Sequence, residues 1–168
     1  MTEKNQNQPV GYEFSDEEGK KAAEKAMSLL MFKDRTKKEL TERLYRAGYS
    51  EEASREAMEY VEHFGYINDR RYAENYIMFQ KGKRSRKEII FKLVEKGISK
   101  ELIQQVLEED EYEGEDEAIE SLIVKKLKGK SVSEITYEEK NKIIAYLGRK
   151  GFDLRAIKNV FSKLDNFY

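Results

Sequence analysis

Apolar residues along the chain fall four apart in pairs: Leu40 with Leu44, Ile89 with Leu93, and Ile143 with Leu147. That interval places both members on one face of an α-helix. The same punctuation follows each pair. The strings read Leu44-Tyr-Arg-Ala-Gly48-Tyr49-Ser50, Leu93-Val-Glu-Lys-Gly97-Ile98-Ser99 and Leu147-Gly-Arg-Lys-Gly151-Phe152-Asp153. Glycine takes the left-handed position just past a helix end, and the large apolar residue after it packs back on the helix it ends. Ser or Asp then caps the next helix. Beyond the caps, Ala53 with Ala57, Leu102 with Val106, and Ala156 with Val160 start a second apolar stripe. The three glycines lie 49 and 54 residues apart, so one helix–turn–helix string occurs three times.

Upstream signals extend each copy. Thr36-x-x-Glu39 and Ser85-x-x-Glu88 are capping boxes in register. In the third copy the box is Thr136-x-x-Glu139, three residues early, which predicts a helix about one turn longer. An earlier amphipathic stretch precedes each box, over residues 22–32, 72–79 and 118–127. The predicted fold is all-α: three tandem three-helix repeats stacked into an elongated, curved helical array. The repeats are expected at 19–67, 68–111 and 118–168. Residues 1–18 are polar and aperiodic and are expected to be a disordered tail; 112–117 are expected to form an acidic linker, within the acidic stretch 108–117 that is the natural hinge.

Composition narrows the function classes. Charged residues and hydrophobic residues each make up 39 % of the 168, which suits helices with one apolar stripe and a wide solvated face. No apolar run approaches the ~20 residues of a membrane span. There is no cysteine, so neither a disulfide nor a thiolate metal site is available, and a cytoplasmic location is expected. The net charge of −1 hides a strong dipole. Eight basic residues and two acidic ones lie between Lys81 and Lys100, then ten acidic residues and no basic one between Glu101 and Val124.

Catalytic chemistry finds no footing. His63 is the sole histidine, with no cysteine to join it in a metal site or a nucleophilic dyad. Gly129-Lys130-Ser131 imitates the end of a phosphate-binding loop, but Val124 stands where the motif needs its first glycine. Neither an enzymatic activity, a cofactor nor a metal is expected. Binding is the remaining class. The densest cationic cluster is Lys81, Lys83, Arg84, Arg86 and Lys87, with Lys92 and Lys96 further along the helix. Such a loop at a helix N-terminus could follow phosphates. Lys33, Arg35, Lys37, Lys38, Arg43 and Arg46 form the equivalent cluster of the first repeat, interleaved with Asp34, Glu39 and Glu42, so a solvated face and a binding face are both open. Lys125, Lys126, Lys128 and Lys130 stand similarly in the third. Tyr66, Tyr72, Tyr76, Phe79 and Phe91 read as packing residues rather than base-stacking ones.

The junction Phe64-Gly-Tyr-Ile-Asn-Asp-Arg-Arg-Tyr-Ala-Glu-Asn-Tyr76 resembles the link between the first two repeats of the bacterial RecX family. So do Arg84-Ser-Arg-Lys-Glu-Ile89 with Leu93-x-x-x-Gly97-Ile98, and Leu147 to Asp153 with Ile157 resembles that family's third repeat. The resemblance implies a non-enzymatic regulator, mainly an inhibitor, of the RecA recombinase. Its partners would be the RecA filament and single-stranded DNA, with weak binding to double-stranded DNA, and a monomer is expected. The rival reading is a helix-turn-helix DNA-binding regulator. It requires base-reading side chains on the third helices, where the first two repeats instead place Glu51, Glu52, Glu56 and Glu59, or Glu101, Glu108 and Glu109.

Overall fold

A computed structural model describes residues 11–109 and 115–166. Helices α1 (Glu17–Phe32), α2 (Lys37–Arg46) and α3 (Glu51–His63) form the first group. The second comprises α4 (Asp69–Gln80), α5 (Arg86–Glu95) and α6 (Lys100–Glu109). The third comprises α7 (Glu115–Leu127), α8 (Tyr137–Arg149) and α9 (Leu154–Asn166), with a short 3-10 helix at Val132–Glu134 between α7 and α8. The all-α, three-by-three organisation is that predicted.

The glycine turns explain why each second helix stops where it does. Gly48, Gly97 and Gly151 have φ of 91°, 86° and 89°. The amide after each glycine donates to the carbonyl five residues back, Tyr49 to Leu44 at 3.3 Å, Ile98 to Leu93 at 3.1 Å and Phe152 to Leu147 at 3.3 Å. This is a Schellman closure, and it satisfies carbonyls that the helix end would otherwise leave open. Ser50, Ser99 and Asp153 then accept from amides of the following helix at 3.2, 3.2 and 2.8 Å. At the other end of the second helices, the boxes of Thr36 with Glu39 and Thr136 with Glu139 are reciprocal. As the early third box predicts, α8 has 13 residues against 10 in α2 and α5.

Each group closes on its own apolar cluster. Ala22, Ala26, Leu40, Leu44, Ala57 and Val61 lie in the first. Ala73, Ile77, Ile89, Leu93, Ile103 and Val106 lie in the second, and Ile119, Ile123, Ile143, Leu147, Ile157 and Phe161 in the third. The first group belongs to a compact unit ending at Asp69, whereas the second and third share one that begins at Arg70.

Two expectations change. Of the predicted disordered tail, residues 1–10 lie outside the described residues, but 11–18 are tied down. Tyr12 and Phe14 pack on Tyr60 at ring separations of 5.2 Å each, and the Ser15 amide donates to Glu56 at 2.7 Å. Asp16 caps α1 by accepting from Gly19 N–H at 2.8 Å. The cause is two aromatic rings two residues apart, which alternation along a short segment can bury on one side. Of the predicted linker, residues 112–114 lie outside the described residues and 115–117 form the first turn of α7. Acidic side chains suit a helix N-terminus, where they face the positive end of the dipole.

Within the second unit, Ser85 is fully buried and donates to the Lys150 carbonyl at 2.5 Å, while the Arg86 amide donates to Glu115 at 2.7 Å. The glycine turn of the third repeat thus sits against the N-terminus of α5. A Cβ on Gly151 would lie 2.9 Å from Ser85 Oγ and 3.1 Å from Lys87 Cβ, while one on Gly48 would meet nothing within 4 Å. Both glycines have the same φ, so Ala at either costs about 1–2 kcal/mol of left-handed strain. Gly151→Ala adds an overpacking cost of about 1–3 kcal/mol, which Gly48→Ala does not. Urea denaturation of the two variants should show the larger loss at Gly151, accompanied by faster amide exchange at the start of α5. Equal losses would mean the Gly151 turn is not a contact point.

Candidate interaction surface

The loop between α4 and α5 is built by one carbonyl. Gln80 O accepts from Lys83 N–H at 3.0 Å and from Arg84 N–H at 3.1 Å, and Gly82 turns the chain with φ of 74°. Ser85 then caps α5, accepting from Glu88 N–H at 3.1 Å. The predicted reciprocal box is incomplete here. Glu88 turns its carboxylate to the Arg84 guanidinium, whose Nε also donates to Gln80 Oε1 at 2.8 Å. A charge-assisted pair with arginine displaces the weaker bond to a neutral amide.

The cationic cluster therefore divides by task. Arg84 is engaged with Gln80 and Glu88, and Arg86 is held through its amide to Glu115 with its side chain 3.5 Å from Gln104. Lys81 and Lys96 are half-buried, each with an interaction of its own. Lys92 pairs with Glu95 at 2.7 Å and lies over the Phe91 ring at 5.4 Å. Lys83 and Lys87 are exposed and make no ion pair among the described residues, although the stem of Lys87 lies near Gly151.

In the first repeat the cations divide in the same way. Arg35 is only 9 % exposed, and its Nε has no hydrogen-bond partner among the described residues. It is a packing residue with its aliphatic stem inside, not part of an open cationic face. Lys37 pairs with Glu62 at 2.8 Å, and its amide donates to Asp69 at 2.9 Å. Burial raises the Asp69 carboxyl above its usual range, opposed by that amide and by the Lys37 charge. Lys38 is exposed and has an interaction of its own. Arg43 is exposed and makes no ion pair among the described residues. In the third repeat Lys125 and Lys128 are exposed, Lys128 at a φ of 52°, while Lys126 sits 4.2 Å from the Tyr146 ring centroid.

Exposed apolar residues complete the surface. Met31 and Phe32 end α1 at 85 and 86 % exposure, and Met78 and Phe79 stand near the end of α4 at 62 and 63 %. Phe91 on α5 is 58 % exposed and Tyr66 is 40 %. The expectation that these aromatics pack is thus wrong for Phe79 and Phe91, which point away from the core; Tyr72 and Tyr76 do pack against the second cluster. The available signal was positional: Met78 and Phe79 directly follow the buried Ile77 and leave its face of the helix.

Among the described residues no helix is long and apolar enough to cross a membrane, and no group of three or more His, Asp or Glu is placed to hold a metal ion.

Comparison with known proteins supplies the family. Residues 22–60, 68–107 and 113–161 match the first, second and third three-helix domains of RecX. A regulatory protein RecX of Caldanaerobacter subterraneus is 32 % identical over 147 residues, covering 86 % of this chain and 71 % of its own. One from Clostridium botulinum (strain Eklund 17B) is 27 % identical over 148 residues, covering 88 % and 70 %. The crystal structure of RecX from Lactobacillus salivarius superposes with a TM-score of 0.74 at 26 % identity, covering 88 % of this chain and 97 % of that one. With all three domains present in order and that level of identity across most of both sequences, the chain belongs to the RecX family.

Proposed function

We propose that this chain is a non-enzymatic regulator of the RecA recombinase. It binds the RecA–single-stranded DNA filament and suppresses ATP hydrolysis and strand exchange, in the cytoplasm and without a cofactor. The observation that carries the reading is the complete set of three RecX-type domains in order, taken with the family resemblance of the junction at residues 64–76. The relatives carry the name regulatory protein, and a regulator of a filament needs a spaced binding surface rather than a reaction centre. Exposed cations occur in both units, Arg43 in the first and Lys83, Lys87 and Lys125 in the second, each able to add a weak contact to an anionic partner.

The helix-turn-helix reading keeps one foothold. α3 exposes Glu51, Glu52 and Glu59, and α6 exposes Glu101, Glu108 and Glu109, which phosphates would repel. α9 instead exposes Arg155, Lys158 and Asn159 with no acidic residue between Leu154 and Leu164. Protection of one defined duplex sequence, abolished by changing Arg155 and Asn159, would favour that reading.

DNA-dependent ATP hydrolysis by RecA, followed as this protein is titrated in, should fall progressively at low salt and recover as salt is raised. No change at several-fold excess over filament sites would refute the reading. The division of the cluster gives a sharper test. Replacing Lys83 and Lys87 together with Ser should raise the half-inhibiting concentration roughly tenfold with the melting curve unchanged. Arg84→Ala should instead lower the melting temperature, because it leaves the half-buried Glu88 without its cation.

A further inference from the structure

Phe79 and Met78 are out of place by the logic of the fold. α4 buries Ala73 and Ile77 completely, so its core contribution is met without them. Each exposes more than half its surface, at 63 and 62 %. The chain reverses immediately afterwards: the Lys81 amide bonds to the Ile77 carbonyl at 2.8 Å and the Lys83 amide to the Gln80 carbonyl at 3.0 Å. An exposed ring and the exposed Lys83 ammonium thus leave the backbone within one tight turn of each other. No acidic residue occurs in the sequence between Asn75 and Lys87. Glu88 is paired with Arg84 and Glu115 with the Arg86 amide, and Glu117 of α7 lies 3.8 Å from where a Cβ of Gly82 would stand, so carboxylates flank the loop while Lys83 itself makes no ion pair among the described residues.

The first repeat provides an internal comparison. Phe32, the last residue of α1, is also exposed, at 86 %, but its loop is electrostatically different. Lys33 is followed by Asp34, Arg35 is buried, and Lys37 is bound to Glu62. An apolar knob alone would fit any protein surface. A ring beside the exposed Lys83, which makes no ion pair among the described residues, fits a strand that alternates flat bases with phosphates.

From that contrast, and resting on the DNA-bound filament reading above, we infer that Phe79 is a base-stacking platform for single-stranded DNA, with Lys83 holding the adjacent phosphate. The strand crosses the end of α4, and Met78 widens the platform with a polarisable side chain that adapts to any base. Sequence preference is not expected, because every base has a stackable face.

The test uses the full chain and two fluorescein-labelled oligonucleotides of equal length, one oligo-dT and one abasic with the same phosphates. Wild type should bind oligo-dT more tightly than the abasic strand in anisotropy titrations at low salt. Phe79→Ala should weaken oligo-dT binding by about five- to a hundredfold, the range a lost stacking contact spans, and leave abasic binding within about twofold. Phe79→Tyr should restore it and Phe79→Leu should not, which separates stacking from mere apolar contact. Phe32→Ala should leave both strands within about twofold. Unchanged oligo-dT binding by Phe79→Ala, an equal loss on the abasic strand, or full rescue by Leu would each overturn the inference. Unchanged oligo-dT binding together with lost suppression of RecA ATP hydrolysis would make Phe79 a protein contact instead. That outcome leaves the filament reading intact. Normal base-dependent binding without any effect on RecA would retain the stacking site and refute the filament reading.

Discussion

One backbone hydrogen bond, repeated three times, organises the molecule: the amide after a glycine closing on the carbonyl of Leu44, Leu93 or Leu147. It ends each second helix at a fixed residue and turns the chain so that the next cap, Ser50, Ser99 or Asp153, comes immediately. The leucine whose carbonyl accepts is itself fully buried in all three repeats. Core packing and chain reversal are therefore set at the same residue. A shift of one position in the glycine would rotate the following helix by about 100° and turn its apolar stripe out of the core.

The same constraint decides where charge can be spent. In the first two repeats the second helix begins with open amides, and the first of these is taken by a carboxylate at the start of the next repeat's first helix. Asp69, first in α4, accepts from Lys37, and Glu115, first in α7, accepts from Arg86. The basic residues at those helix starts thus contribute their backbone to the fold. Their side chains are then drawn to local partners, Glu62 for Lys37 and Gln104 for Arg86. A cation at a helix N-terminus opposes the dipole, and the nearby carboxylates offset that conflict. What looks in sequence like one cationic block is a structural core of Arg84, Ser85 and Arg86 with Lys83 and Lys87 exposed beside it.

This explains which features were legible from sequence. The turns and stripes follow from short-range rules, so Gly48, Gly97, Gly151 and the apolar pairs could be placed by spacing alone. The Thr136 box likewise foretold the longer α8. Long-range contacts could not be read in this way. Nothing local indicates that Ser85 reaches Lys150, 65 residues on, or that Tyr12 lies on Tyr60. The incomplete box at Ser85 belongs to the same class: its motif is intact, but Arg84 competes for Glu88. Arg35 was missed because a guanidinium in a charged string gives no sign that its stem is buried.

The exposed rings were misread for a different reason. Counting aromatics and noting amphipathic stretches assigns them to the core by default, because that is where most large apolar groups go. The default fails when the core positions are already filled. Ile77 completes its turn of α4, so the following Met78 and Phe79 lie off the buried face and nothing in the fold requires them to be apolar. A polar residue at either site would leave the fold equally stable and the surface more soluble. An exposed ring beside Lys83 is what the proposed stacking site requires. The fold's contribution to such a site would be the hydrogen-bonded reversal at Gln80, which keeps ring and cation at one end of one helix.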